Sequence, residues 1–446
     1  MSPGRLNLHA TGLVGGVDVK YDYSYFTKFI KRNAHFAKEY INLPSEGDFG
    51  GICEFRIPMN TGDLLKSVCL EVKTTQLVDA DHYYIDSFGN ALVEYAELVI
   101  GGKVINRLTS DYLQLYTEAF HEDTKKSAFK NLINRTDASL LDEPSKGINS
   151  KQLTNNKLQC IIDLPFYFHK HPELAIPLCA IKLQEVTIRI KLREYPELVY
   201  KKSPTQTPSD SSAMTSVALP QTLTVRPKIT KCDLITELVY LSVTERKKVE
   251  CTSTDYVITE IQEEDFKTVD EQTNSIKCKL NFSNPVKELY FFIQRDRQAH
   301  QDIGVFTSPL NYDPIRWFDF DEETLGFTIT PDQLKHLTLE LDGLKIVDEK
   351  VGTPQFMRVS QFMRHHSNVP KLSKVYMYSF ALDPESWYPT GQVNFSLIKE
   401  QIMNFELWQS RTFVNSSWYY FSRHVRIYAK SYNILRVKGG EAHTLF

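Results

Sequence analysis

Residues 97–120 read ELVIGGKVINRLTSDYLQLYTEAF, and that stretch decides the fold. Apolar residues on either side of Gly101-Gly102 give two short strands, and a Gly-Gly pair accepts positive φ at both central positions of a two-residue hairpin turn. The period then changes. Tyr112, Leu115, Tyr116, Ala119 and Phe120 fall at i, i+3, i+4, i+7 and i+8, the apolar stripe of a helix. Much the same unit returns in the second half. Residues 336–348, HLTLELDGLKIVD, turn on Asp342-Gly343, and PQFMRVSQFM follows as a helix, with Pro354 suited to its first turn after Thr353. The stripe there is predicted on Phe356, Val359, Phe362 and Met363. Gly102 and Gly343 stand just over half of the 446-residue chain apart, the spacing of two tandem copies of one domain.

Composition agrees with two domains. A chain of 446 residues exceeds one ordinary core, and 42% hydrophobic residues suffice for two. Phe (26) and Tyr (23) are abundant and Pro stands at 20, which favours strands and loops over long helices. With 52 basic against 55 acidic residues there is no global basic field to wrap nucleic acid. Seven cysteines, odd in number and without a CxxC, read as free thiols in a reducing compartment. No apolar run approaches the ~18 residues of a membrane span, and the N-terminus has no hydrophobic signal core.

Working outward, residues 1–20 are Gly-rich and read as an arm. Residues 21–40 add aromatic groups to Lys28, Lys31 and Arg32, as in a segment packed on a neighbouring domain. Alternation marks strands at Cys53, Phe55 and Ile57, at Val68, Leu70 and Val72, at Cys160, Ile162 and Leu164, and most cleanly at Val186, Ile188, Ile190 and Leu192. The basic face opposite that last set, Arg189 included, reads as the solvated side of a half-buried strand. Residues 126–157 are polar and read as a surface loop; residues 203–222, rich in Ser, Thr and Pro, read as a loop inside the first domain. The strand at 232–243 leads into the charged turn Thr244-Glu245-Arg246-Lys247-Lys248, and the junction is placed near residues 244–254. Beyond it, Ile276, Cys278, Leu280 and Phe282 alternate, LYFFI (289–293) is an apolar strand, two strands cover 424–429 and 432–437, and GGEAHTLF ends the chain as a polar tail. About eight strands per half, with most of each half in loops, predict an all-β chain: two tandem eight-stranded jelly-roll β-sandwiches with long loops and a few short helices. The domains are then an arm (1–40), a first roll (41–248) and a second roll (249–446).

Motifs for chemistry are missing. Gly101-Gly102-Lys103 lacks the rest of a phosphate-binding loop. His169 with His171, and His365 with His366, have no third ligand at a metal spacing, and Asp319, Asp321, Glu322 and Glu323 read as a solvated acidic loop. No nucleophile signature appears, so no catalytic residue, metal or cofactor is expected. Asn134, Asn281, Asn394 and Asn415 begin N-x-Ser/Thr sequons. Duplicated sandwiches without a site suggest an assembly protein. A carbohydrate-binding jelly-roll module is the alternative, suggested by Trp387, Tyr388, Trp418 and Tyr419.

Nine blocks carry a family resemblance, in order along about 430 residues: YFTKFIKRNAHFAKE, MNTGDLLKSVCLEV, YAELVIGGKVINRL, LPFYFHKHPELAIPLCAIKLQEV, ELVYLSVTERKKV, NPVKELYFFIQ, MRHHSNVP, VYMYSFALDPESWYPTGQVNFSLI and SYNILRV. With them the chain resembles the double jelly-roll major capsid proteins of nucleocytoplasmic large DNA viruses, the group that includes iridoviruses and algal viruses. The resemblance implies a homotrimer forming a pseudo-hexagonal capsomer of an icosahedral virion capsid, assembled in the host cytoplasm. It implies minor capsid proteins as partners, and an arm around Phe26, Phe29, Ile30, Lys31 and Arg32 that faces inward toward them or toward an internal membrane. Sequence-specific nucleic-acid binding is not expected. A minor shell or penton component is the alternative within this reading.

Overall fold

Among the described residues, sixteen strands build the four main sheets of the computed structural model, which describes residues 34–59, 61–75, 77, 82–84, 87–134, 158–201, 225–269, 273–295, 333–370, 374–408, 411–414, 417–420 and 423–446. The first eight are β1 (Phe36–Ser45), β2 (Ile52–Arg56), β3 (Leu64–Thr74), β4 (Val93–Ile100), β5 (Lys103–Thr109), β6 (Gln159–Asp163), β7 (Val186–Leu192) and β8 (Ile229–Leu241). They pair antiparallel in the orders β1-β8-β3-β6 and β2-β7-β4-β5. The second eight are β9 (Thr254–Val269), β10 (Ser275–Lys279), β11 (Pro285–Arg295), β12 (Leu334–Leu341), β13 (Leu344–Val347), β14 (Tyr376–Ser379), β15 (Gln401–Leu407) and β16 (Arg423–Lys438). Their orders, β9-β16-β11-β14 and β10-β15-β12-β13, are the first pair with eight added to every label. Each set is a jelly roll, and the duplication inferred from two turns is present in the whole topology. Each hairpin, β4–β5 and β12–β13, closes the equivalent edge of the corresponding sheet in its own roll. Their turns carry positive φ at Gly101 (58°), Gly102 (81°), Asp342 (49°) and Gly343 (78°), as a two-residue turn with right-twisted strands requires.

Alternation explains the cores. In β2, Cys53 and Phe55 point inward while Glu54 and Arg56 face solvent, and β7 repeats the pattern. Cys53 and Cys232 face each other across the first sandwich with sulfurs 3.8 Å apart, and all seven cysteines are free thiols. On the outer face of β7, Arg189 reaches Glu54 at 3.0 Å and Glu97 at 3.4 Å, its direct partners in register on β2 and β4. Cross-strand carboxylates occupy the guanidinium, as the sequence suggested for a half-buried strand. β11 is buried on both sides. Leu289, Phe291 and Ile293 belong to the second roll's core, whereas Tyr290 and Phe292 join the core of the first. Phe36–Phe446 accordingly packs as one compact unit.

Several expectations are corrected. The start of the predicted loop at 126–157 is helical: after α1 (Phe88–Leu92) and α2 (Ser110–Phe120) comes α3 (Asp123–Ile133), because Phe129 and Ile133 make a buried i, i+4 pair. The strand from Phe36 lies inside the stretch read as arm, paired along its length with β8. The charged turn is α4 (Val243–Cys251), capped by Ser242, with Arg246 held by Glu250 at 2.9 Å and Asp63 at 3.3 Å. The two final strands are one, since Lys430 and Ser431 continue the ladder against β9 and β11. The polar tail turns on Gly439-Gly440 and pairs back as Glu441–Thr444. Lastly, the helix after β13 begins with a π-helical turn, Phe356–Ser360, before α5 (Gln361–His365). The extra residue in that turn rotates the stripe: Met357 and Phe362 are buried, whereas Val359 and Met363 are exposed.

Gly352 shows how tightly β12 is covered. A Cβ there would stand 1.8 Å from the Leu337 carbonyl oxygen, and the Gly352 carbonyl accepts a 2.8 Å bond from the Leu337 amide. Gly352→Ala is expected to lower the unfolding free energy by at least about 1–3 kcal/mol, the range for overpacking. Chemical denaturation with the slope held equal checks this.

Candidate assembly site

The hairpin and helix of the first roll form the seam between the rolls. α2 is enclosed by the body of its own roll and by the second roll, so residues off the predicted stripe are buried too, among them Leu113, Gln114, Thr117 and Glu118. Its contacts run to the outer face of β9-β16-β11-β14. Tyr112 packs on Tyr428 with ring centroids 6.0 Å apart, and Phe120 on Tyr290 at 6.1 Å and on His366 at 5.0 Å. Asp111 pairs with Arg426 at 3.1 Å, and the Asn368 amide donates to the Glu118 carbonyl at 2.9 Å. From β5, Asn106 donates to the Thr259 carbonyl on β9 at 3.1 Å. The C-terminal hairpin adds a second clamp, where the Gly440 carbonyl accepts from the Lys182 and Leu183 amides at 3.0 Å.

A buried polar cluster lies in this seam. His366 Nε2 stands 2.6 Å from Glu288 and Nδ1 is 3.5 Å from Glu385, an ion pair beyond hydrogen-bonding geometry. Both His366 and Glu288 side chains are shut off from solvent. Burial alone would raise the Glu288 carboxyl, but the His366 ring, with Lys430 and Lys287, outweighs it and holds the pKa at about 2. For His366, burial works against the charged ring, and Glu288 and Glu385 outweigh it and raise its pKa. Lys287 is pulled down to about 7 by burial and by Lys430; its ammonium donates to the Pro384 carbonyl at 2.9 Å. Sequence reasoning missed this cluster. Its signal was Lys287-Glu288 abutting an apolar strand, two charges that the strand's position forces inward.

Among the described residues, the second roll's copy of the unit has no such cover. Leu344 (71%), Ile346 (44%), Val359 (36%) and Met363 (69%) are exposed, on β13 and the helix behind it. On the opposite roll, β1 occupies the place that β9 holds in the second, and Phe36 (60%) and Tyr40 (67%) are exposed along it.

The other residues singled out by sequence are scattered. Phe26, Phe29, Ile30, Lys31, Arg32 and Asn415 lie outside the described residues, as do 203–222 and the acidic loop at 319–323. Asn134 is partly buried, its amide 2.8 Å from the Cys160 sulfur. Asn281 is exposed and bonds to Glu264, and Asn394 caps the short helical turn at Phe395–Leu397. His169 is half-buried with its Nδ1 closed off from solvent, and no group of metal-ligating side chains occurs among the described residues. Trp387 and Tyr388 meet edge to face at 5.6 Å, half exposed; Trp418 and Tyr419 lie on the small hairpin of 411–414 with 417–420.

Two like jelly rolls locked through one roll's hairpin and helix, with unmatched apolar copies of both partners left on the outside, define a shell-building protein. Two family profiles match in succession, the major capsid protein N-terminus over residues 24–241 and the large eukaryotic DNA virus major capsid protein over residues 245–442. The chain belongs to the major capsid protein family of large eukaryotic DNA viruses and is a structural protein of the virion capsid, not an enzyme. It is 24% identical to the major capsid protein of Pyramimonas orientalis virus over 441 residues, covering 94% of this chain and 92% of that protein. It is 23% identical to that of Paramecium bursaria Chlorella virus 1, covering 94% and 93%. Among solved structures, the PBCV-1 virus capsid superposes with a TM-score of 0.71 at 18% identity, over 95% of this chain and all of that one. The Faustovirus major capsid protein gives 0.68 at 12% identity, over 97% and 94%.

Proposed function

We propose that three copies of this chain close into a pseudo-hexagonal capsomer that tiles an icosahedral shell, with the chain divided into an arm that ends before β1, a first roll from Phe36 to residue 248 and a second roll (249–446). One observation carries the reading: the helix of the first roll's unit is buried against the second roll, while Leu344, Ile346, Val359 and Met363 of the second roll's copy are exposed. A contact repeated from roll to roll is heterologous, and repeating it through three chains of two rolls closes a ring of six. In that ring Leu344, Ile346, Val359 and Met363 of one chain dock on the β1-β8-β3-β6 face of the next, near Phe36 and Tyr40. The receiving face also carries charge, with Glu237 between Lys38 at 3.1 Å and Lys66 at 3.4 Å, so this seam is more polar than the one within the chain.

The arm extends the same reading. Phe26, Phe29, Ile30, Lys31 and Arg32 face the shell interior, toward minor capsid proteins or an internal membrane, and assembly takes place in the host cytoplasm. The mix of aromatic and basic groups supports a contact of that kind. Deleting residues 1–30 leaves β1 whole, so the deletion variant is expected to keep its oligomeric state by light scattering yet to fail in building shells when co-expressed with its partners. Loss of the oligomer itself would assign the arm to the seam between chains.

A further inference from the structure

Between the rolls, beside the buried cluster, lies a cavity of about 50 Å³ whose lining includes Tyr167, Lys170, His171, Lys287, Glu385 and Lys430. We propose that it binds a small tetrahedral oxyanion of the size of inorganic phosphate, held by Lys430, Lys170 and the Tyr167 hydroxyl.

The charge balance of the site points that way. Lys170, Lys287 and Lys430 line the space, against one lining carboxylate, Glu385; Glu288 and His366 sit behind it and are already paired with each other. Glu385 is shared between Lys170 at 3.5 Å and His366 at 3.5 Å. Lys287 is satisfied by the Pro384 carbonyl. Lys430 is not satisfied: its ammonium makes no hydrogen bond among the described residues, stands 3.9 Å from Glu288 and lies 4.3 Å from the Phe120 ring centre. The Tyr167 hydroxyl is buried without a partner among the described residues. A largely enclosed ammonium and an orphaned hydroxyl, both on residues that line this cavity, leave donors without acceptors, which costs stability unless an acceptor enters. A void of this size holds a few waters or one oxyanion and is too small for a nucleotide. An oxyanion would accept from both donors and offset the mutual repulsion of the lysines.

Inorganic phosphate is the probe, titrated against the full chain at constant ionic strength with chloride as the balancing ion. A saturable rise in melting temperature is expected, with one phosphate per chain by equilibrium dialysis, and a smaller rise with acetate. Lys170→Gln tests the site without disturbing the core, because that side chain is nearly half exposed and its fold is expected to survive. It should weaken phosphate binding about tenfold, and Lys430→Gln should abolish it. Lys277→Gln, on the exposed face of β10, should change nothing. A phosphate response no larger than that of chloride, an equal response to acetate, or full binding by both Lys170→Gln and Lys430→Gln would overturn the proposal.

Discussion

Glu288→Ala is expected to lower the unfolding free energy by about 3–5 kcal/mol, because it strands a buried imidazolium and leaves the neighbouring ammonium of Lys430 without its nearest carboxylate. His366→Ala does the same from the other side. The two effects are not additive, since each removes the same interaction, and a double substitution to apolar residues of similar volume should lose less than the two singles together. The pair also sets a pH window. Glu288 has a folded pKa of about 2, below its ordinary 4.5, so its contribution is complete above about 4.5 and is lost as pH falls toward 2. His366 has a raised pKa, so its contribution is complete below its ordinary 6.5 and is lost as pH rises through the higher folded value. The ion pair is at full strength between those limits. Denaturant midpoints across pH should show the acid limb in the parent protein and a flatter limb in Glu288→Gln.

Leu344→Asp combined with Met363→Asp is expected to leave the single chain folded and to weaken self-association at least about a hundredfold. Both residues are largely exposed in the isolated chain, so monomer stability should change by about 0.5 kcal/mol or less. In a ring they become buried, and an unpaired carboxylate there costs several kcal/mol. Sedimentation at graded concentrations separates the outcomes. An unchanged oligomer would place the contact between chains elsewhere on the molecule.

The hairpins were legible because their chemistry is local: Gly-Gly and Asp-Gly permit a backbone that few other pairs allow, and both turns sit where the sequence put them. The strands of β2 and β7 were legible from period-2 alternation, one face of each being core. Legibility failed where long-range packing overrode local pattern. α3 hides a two-residue apolar contact inside a polar run, and the stripe of the second helix was misplaced because a π turn leaves no mark in a 3.6-residue period. β16 looked broken at Lys430-Ser431, since a lysine in a buried strand makes sense only once the seam between the rolls and its carboxylates are in place. Lys287-Glu288 hinted at buried charge, but the cluster itself was not legible for the same reason: Glu288, His366 and Glu385 come from separate segments that the fold alone brings together. The helix of 110–120 showed one apolar face in the sequence, yet it is enclosed on nearly every side, because a second roll covers what one roll leaves open.

The mass and symmetry of the purified chain test the closed ring most directly. Light scattering with electron microscopy of the same sample should give particles of three times the 51.5 kDa chain mass, hexagonal in outline and threefold symmetric. Monomers at every concentration, or a twofold dimer, would contradict it.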